Sequence, residues 1–337
     1  MTEKIKFAVV GCGHIGKRHA SMIRNNPECE LVAVCDTKPQ QPGDENAQVP
    51  FYDSIEKMLA SDADPQVVCI ATPNGLHEEH ALKAMQKGLH VVIEKPMALS
   101  KAGCEKLLFE ALHQHKLIFC VMQNRYSPPT VWLKDILLKG LLGKVFLVQI
   151  NCYWNRDDRY YTKGNWHGTQ SLDGGTLYTQ FSHFIDIMYW LFGDITNITA
   201  RFNNFNHIDL IEFEDSGFVN FDFVKGGMGS INYSTSVWNN NLESSITVIA
   251  EKGTVKIGGQ YMNEVEACNI KDYTMPVLPP SNPPNDYGPY KGSAANHHYI
   301  FENVVDVLKG RAPITTNALE GLKVVEIIER IYKLKNG

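Results

Sequence analysis

Residues 6–19, KFAVVGCGHIGKRH, decide how the rest of the chain is read. Phe7, Ala8, Val9 and Val10 form a short apolar run of the kind buried on both faces in a parallel sheet. Gly11, Gly13 and Gly16 follow at once, in the spacing G-x-G-x-x-G, with His14 and Ile15 inside the same turn. In that spacing the first glycine permits a tight turn and the second lets the backbone approach a pyrophosphate. The third lets the next helix pack close to the strand. A helix starting here aims N–H groups and the positive end of its dipole at phosphates.

A second apolar run, residues 31–34, ends in Cys35-Asp36, and Asp36 stands 20 residues after Gly16. That is where an acid accepts from the ribose hydroxyls of a bound dinucleotide. Its carboxylate repels a 2′-phosphate, so the pattern predicts NAD over NADP, with nearby Lys38 weakening the preference.

The remaining apolar runs of the first half, residues 67–71, 91–93 and 117–121, alternate with helix-like stretches at 54–60, 77–87 and 100–115. Such repeats imply a parallel sheet covered by helices on both faces, with ligands at the carboxyl ends of its strands. Thr72-Pro73-Asn74 and Glu94-Lys95-Pro96 fall at those ends, and His77 opens the helix that follows the first of them. Thr72, Pro73, Asn74, His77, Glu94 and Lys95 are therefore expected beside the cofactor. A lysine leaving a strand there can donate to a substrate hydroxyl, although a solvated loop lysine is the usual fate of this residue. His77 and His80 form H-x-x-H without a third ligand nearby, so no metal site is expected.

A net charge of −5 argues against a nucleic-acid footprint, and no apolar run approaches the ~20 residues of a membrane span. MTEKIKFAVV enters the first strand directly and reads as free of a signal peptide. The eight cysteines contain no C-x-x-C pair. Reduced, cytosolic protein is the expectation.

With these pieces placed, the chain resembles the glucose-fructose oxidoreductase/inositol dehydrogenase/MocA (Gfo/Idh/MocA) family. The segments that carry the resemblance are VVGCGHIGKRHA, ATPNGLHEEHALKAMQKGLHVVIEKPMALS and DGGTLYTQFSHFIDIMYWLFGD. It implies an α/β fold: an N-terminal Rossmann doubly wound parallel sheet, then a C-terminal α+β domain with a large, mostly antiparallel, open-faced sheet. The expected domains are residues 1–123, NAD-binding, and 124–337, for substrate and oligomerisation, with closing helices at about 295–335 packing on both. The resemblance also implies NAD(P)-dependent oxidation of a secondary alcohol on a sugar or cyclitol, with Lys95 matching the EKP lysine and His183 the catalytic histidine. Many members carry aspartate four residues before that histidine; here it is Thr179. TQFSH, NRYSPP and NRDDRYY look most like the branch of UDP-N-acetylglucosamine and UDP-N-acetylglucosaminuronate 3-dehydrogenases. Cyclitol or free-sugar oxidation is the alternative within the family, and a non-catalytic NAD-binding regulator is the alternative outside it.

In the second half, residues 144–153 alternate as a strand and further strand signals recur near 202, 218–224, 229–235, 246–250 and 254–257. Glycines between them read as antiparallel hairpins. A sheet with helices on one side leaves a face for another subunit, so a homo-oligomer, dimer or tetramer, is expected. A helix is expected over 175–193, with Leu177, Phe181, Phe184 and Met188 toward the core and Thr179, His183 and Asp186 on another face. Asp186, one turn from His183, is placed to orient or activate the imidazole. In NRDDRYYTKGNW, residues 155–166, Arg156 and Arg159 suit phosphate or carboxylate. Tyr160, Tyr161 and Trp166 suit a sugar or uracil face, with Asn165 between them. A subunit-interface loop would have the same composition. The substrate set is thus Lys95, Arg156, Arg159, Tyr161, Asn165, Trp166, Thr179 and His183. Residues 279–292 read as a loop, and a helix is expected over 130–139.

Overall fold

The computed structural model describes residues 3–40, 44–288 and 290–336. They divide into two compact units, residues 3–122 with 297–325, and 123–296 with 326–336.

The first unit is built on strands β1 (Ile5–Val10), β2 (Cys29–Cys35), β3 (Phe51–Tyr52), β4 (Val67–Ile70), β5 (His90–Ile93) and β6 (Ile118–Cys120). Their order is β3-β2-β1-β4-β5-β6 and every pairing is parallel. The helices between them are α1 (His14–Asn25), α2 (Ile55–Leu59), α3 (His77–Gln86) and α4 (Lys101–His113). Phe7, Ala8, Val67, Val68, Cys69, Val91 and Val92 have no exposure at all, as strands covered on both faces require. The register puts Val10 opposite both Cys35 and Ile70, and Ile70 opposite Ile93. The four strands therefore end level, and Gly11, Asp36, Ala71 and Glu94 emerge side by side.

Helix α5 (Pro128–Leu138) opens the second unit, two residues before the expected start. Its prolines sit in the first turn, where a missing N–H removes no helical bond. The sheet uses β7 (Val145–Tyr153), β8 (Ile195–Asn203), β9 (Ser216–Phe223), β10 (Met228–Ser234), β11 (Glu243–Ala250), β12 (Gly253–Gly258) and β13 (Glu264–Ile270). The order is β13-β12-β11-β7-β10-β9-β8; only β7 and β10 run parallel. One cross-strand row, Ile246–Ile150–Ile231–Val219, is no more than 1% exposed. The next row on the other face, Ser245–Asn151–Asn232–Phe218, is mostly polar, and Phe218 is 61% exposed. This is the period of two expected when one face alone meets a helical layer.

Two expectations need correction. The helix over 175–193 is two helices, α6 (Thr176–Thr179) and α7 (Ser182–Phe192). Both sides of this segment are buried, so an apolar period did not reveal the break at Gln180-Phe181. The loop at 279–292 contains a small hairpin, β14 (Pro284–Asp286) with β15 (Lys291–Ala294). The closing helices are α8 (His297–Leu308) and α9 (Ala318–Tyr332). All eight cysteines are free thiols. Among the described residues no helix is long and apolar enough to cross a membrane.

Candidate active site

The residues singled out in the sequence fall into two sets, one in each unit. In the first unit Gly11 takes φ +93°, and a Cβ there would run into the carbonyl of Ala71; one on Gly16 would strike the carbonyl of Gly11. Gly13 is different, because a Cβ on it meets no protein atom within 4 Å. The protein itself does not demand glycine at that position, whereas a phosphate lying against the backbone does. Helix α1 starts here with no side-chain cap and no acid in its first turn. Opposite the turn, Asp36 Oδ2 accepts from the Cys12 N–H at 2.6 Å and Oδ1 from the Lys38 N–H at 2.9 Å. Glycine turn, uncapped helix and oriented carboxylate suit an NAD-type dinucleotide.

Glu94 and Lys95 leave β5 beside this turn. Glu94 is buried; its Oε1 lies 2.9 Å from His19 Nε2 and 3.8 Å from His297 Nε2, and its Oε2 accepts from the Lys95 N–H at 3.2 Å. Burial works to raise its pKa, but the hydrogen bond with His19, first among the opposing influences, brings it down to about 2. His297 is driven the other way by burial, to about 3, so its ring is neutral. A metal-bound histidine normally gives its second nitrogen to a partner. Neither His19 Nδ1 nor His297 Nδ1 has one; His19 hydrogen-bonds Glu94, His297 packs beside it, and Glu94 in turn anchors the Lys95 backbone. His77, 1% exposed, lies with Nδ1 2.7 Å from the Pro96 carbonyl and Nε2 2.8 Å from that of Thr72. It links the turn after β4 to the turn after β5. Burial holds its pKa below the usual histidine value, so the neutral ring donates to one carbonyl at a time. Thr72 Oγ1 in turn meets His80 Nδ1 at 3.1 Å. Asn74 is buried in the short turn that precedes α3.

In the second unit the segment from Thr176 to Phe192 gathers polar partners. Gln180 accepts from Arg156 Nε at 2.8 Å and donates to the Tyr160 hydroxyl at 2.7 Å. Arg156 is 3% exposed, and its other nitrogens reach the carbonyls of Asn155 and Lys291 and the side chain of Asn241. Its guanidinium also lies over the rings of Trp154, Tyr160 and Tyr290. Most of its donors are thus engaged within the protein. Arg159 is exposed and paired with Asp157. Tyr161 packs in a cluster with Tyr160, Ile211 and Phe213, and burial pushes its hydroxyl far above the usual tyrosine range. Trp166 is half-buried and stacks on His167 at 3.9 Å, beside exposed Asn165. His183 is the second residue of α7 and 3% exposed. Thr179 donates to Asp173 Oδ1, and Asp173 Oδ2 accepts from the Gly168 N–H at 2.7 Å.

Asp186, expected one turn from His183, has a charged partner of its own. It forms a two-point ion pair with Arg125, both side chains buried. Arg125, Asp173 and Gln180 were quoted in the sequence without being given roles. Their partners lie up to 61 residues away, and no local pattern announces them.

Residues 5–122 match the Gfo/Idh/MocA oxidoreductase family, NAD-binding Rossmann fold, and residues 130–256 match the C-terminal domain of the same family. The chain is 30% identical to the WlbA dehydrogenase of Bordetella pertussis, solved in complex with NADH and UDP-GlcNAcA, covering 99% of this chain and 97% of that one with a TM-score of 0.88. A WlbA dehydrogenase from Chromobactrium violaceum, in complex with the same two molecules, is also 30% identical, with 100% and 95% covered and a TM-score of 0.89. An uncharacterized oxidoreductase of Synechocystis is 25% identical, over 81% of this chain and 74% of its own length.

Proposed function

Because this chain belongs to the Gfo/Idh/MocA oxidoreductase family, we propose that it oxidises a secondary hydroxyl, C3, of a UDP-linked N-acetylamino sugar or its uronate. The observation that carries this is the full-length likeness, at 30% identity, to dehydrogenases solved with NADH and UDP-GlcNAcA. NAD, held by the glycine turn, the α1 N-terminus and Asp36, supplies the hydride acceptor when bound. His183 takes the proton of the reacting hydroxyl. Lys95 donates to the same oxygen and stabilises the charge that develops on it. Anchoring of Glu94 by His19 and of Pro96 by His77 fixes the backbone on both sides of Lys95. Arg159, Asn165 and Trp166 are among the accessible polar and aromatic groups of the loop assigned to the nucleotide, and Arg156, Tyr161 and Thr179 hold that region in shape. The polar, Phe218-bearing face of the second sheet is assigned to contact with another copy of the chain, which light scattering on the eluted protein would detect.

The test is NADH formation with UDP-GlcNAcA, UDP-N-acetylglucosamine, myo-inositol and glucose. Turnover is expected with a UDP-sugar. Turnover with inositol or glucose alone would make it a cyclitol or free-sugar dehydrogenase, and none at all would favour a regulator. Lys95→Met and His183→Asn are each expected to cost about 10²–10⁴ in single-turnover rate while NAD still binds in calorimetry. If His183→Asn stays within a few-fold of wild type, His183 is not the base.

A further inference from the structure

Two carboxylates flank His183 in sequence, Asp173 before it and Asp186 after it, and the structure treats them differently. Asp186 faces a guanidinium across two short hydrogen bonds, so its charge is matched at once by Arg125. Asp173 is 1% exposed and is held by a hydroxyl and a backbone amide, from Thr179 and Gly168. The turn that puts it there uses Gly174 and Gly175, both at positive φ, to return the chain onto α6. Its negative charge reaches the loop, where after burial it is the largest influence raising the hydroxyl pKa values of Tyr160 and Tyr161.

Thr179 stands between Asp173 and the histidine in the chain. It ends α6, and His183 follows four residues later. Between them Gln180 (φ −88°, ψ −43°) is helical and Phe181 (φ −117°, ψ 7°) departs only modestly. Thr179 and His183 thus stand four residues apart across a short break, the spacing of one helical turn. A hydroxyl that donates to a carboxylate is left with lone pairs that accept from an imidazole N–H. The same arrangement orients the base in other hydrogen-bonded catalytic series.

We propose that Asp173, acting through the Thr179 hydroxyl, is the positioning residue that orients His183 and raises its basicity. This rests on His183 being the base. The other charged or titratable groups around the segment include the Arg125–Asp186 pair, Lys134 at the Trp190 carbonyl, Glu214 and Tyr332 at the start of α6, Tyr178 and Tyr189 on the helices themselves and, on the loop, Arg156, Tyr160 and Tyr161.

The experiment is a histidine NMR titration of the ligand-free protein, which needs no substrate. The His183 resonance is identified by its loss in His183→Asn. Asp173→Asn is expected to lower the His183 titration midpoint by about one pH unit, tenfold in proton affinity. Thr179→Val, which keeps the carboxylate and removes the link, is expected to shift it in the same direction, and Thr179→Ser to restore it. An unchanged midpoint in folded Asp173→Asn overturns the proposal. If that variant does not fold, an unchanged midpoint in Thr179→Val does so. Shifted midpoints combined with normal turnover in His183→Asn would leave the coupling real and refute the base assignment instead.

Discussion

Arg125 meets Asp186 through two hydrogen bonds, Nε to Oδ2 at 2.8 Å and Nη2 to Oδ1 at 2.5 Å, with both side chains buried. The guanidinium also lies 5.4 Å from the centre of the Trp190 ring. This pair ties the short turn at residues 123–126 to the middle of α7, three residues after His183. Asp186→Asn leaves a buried cation with a neutral partner. Removing one member of such a pair costs about 3–5 kcal/mol, so denaturant unfolding should show a large loss. The pH profile of turnover should keep its acid limb where it was. A shifted acid limb with unchanged stability would return Asp186 to the role beside the histidine.

Asp36→Ala should change cofactor choice. The carboxylate is aimed by the amides of Cys12 and Lys38 and has few other positions to adopt. Hydrogen bonds to a charged group contribute about 1.5–3 kcal/mol, so NAD affinity should fall roughly ten- to a hundredfold. NADP affinity should fall less or rise, since the repulsion of a 2′-phosphate disappears with the charge. Calorimetry with both dinucleotides decides it; tighter NADP binding by the wild type would refute the assignment of Asp36.

The two loop arginines should separate cleanly. Arg159 is exposed, and Arg159→Ala should raise KM for the UDP-sugar more than it lowers kcat, as loss of a contact made equally in ground and transition states does. Arg156 is wrapped in its own protein's acceptors and rings. Arg156→Ala should instead lower stability, on the order of 3 kcal/mol, by leaving several buried acceptors unmatched. Equal effects on KM with no change in unfolding would put both guanidinia on the substrate.

The first unit was legible because its signals are local. An apolar run, three glycines and an acid 20 residues on are read within one βα unit, and the structure brings Gly11 and Asp36 to the same sheet edge. The open-faced sheet was legible in most strands through alternation. Strand β13, EVEACNI, escaped because it is an edge strand with only Ile270 buried and so has little apolar pattern to show. The helix break at Gln180-Phe181 escaped for the opposite reason, being buried on every side. The partners of Asp186 and Thr179 were out of reach in principle. Arg125 is brought to Asp186 by tertiary folding, and Asp173 is turned back toward Thr179 by two glycines whose φ values the sequence does not print.

The anchor around Glu94 predicts how the fold responds to acid. His297 is held neutral by burial, with its pKa brought down to about 3, whereas in the unfolded chain it takes up a proton near pH 6.5. Between those values the unfolded state binds more protons, so stability falls as the pH is lowered. His90 acts in the same direction, since burial and then Lys116 lower its pKa to about 4. Glu94 works in a lower window. Its folded pKa is about 2, below the unfolded value near 4.3, so its contribution is complete above that value and is lost as pH falls toward 2. The urea midpoint should therefore decline from about pH 6.5 and decline more steeply below about 4.5. His297→Asn should flatten the upper part of the curve and leave the lower part. A midpoint that is level from pH 6.5 to 4.5 in the wild type would mean that His297 is already protonated in the folded state, paired with Glu94 as a buried ion pair rather than packed beside it as a neutral ring.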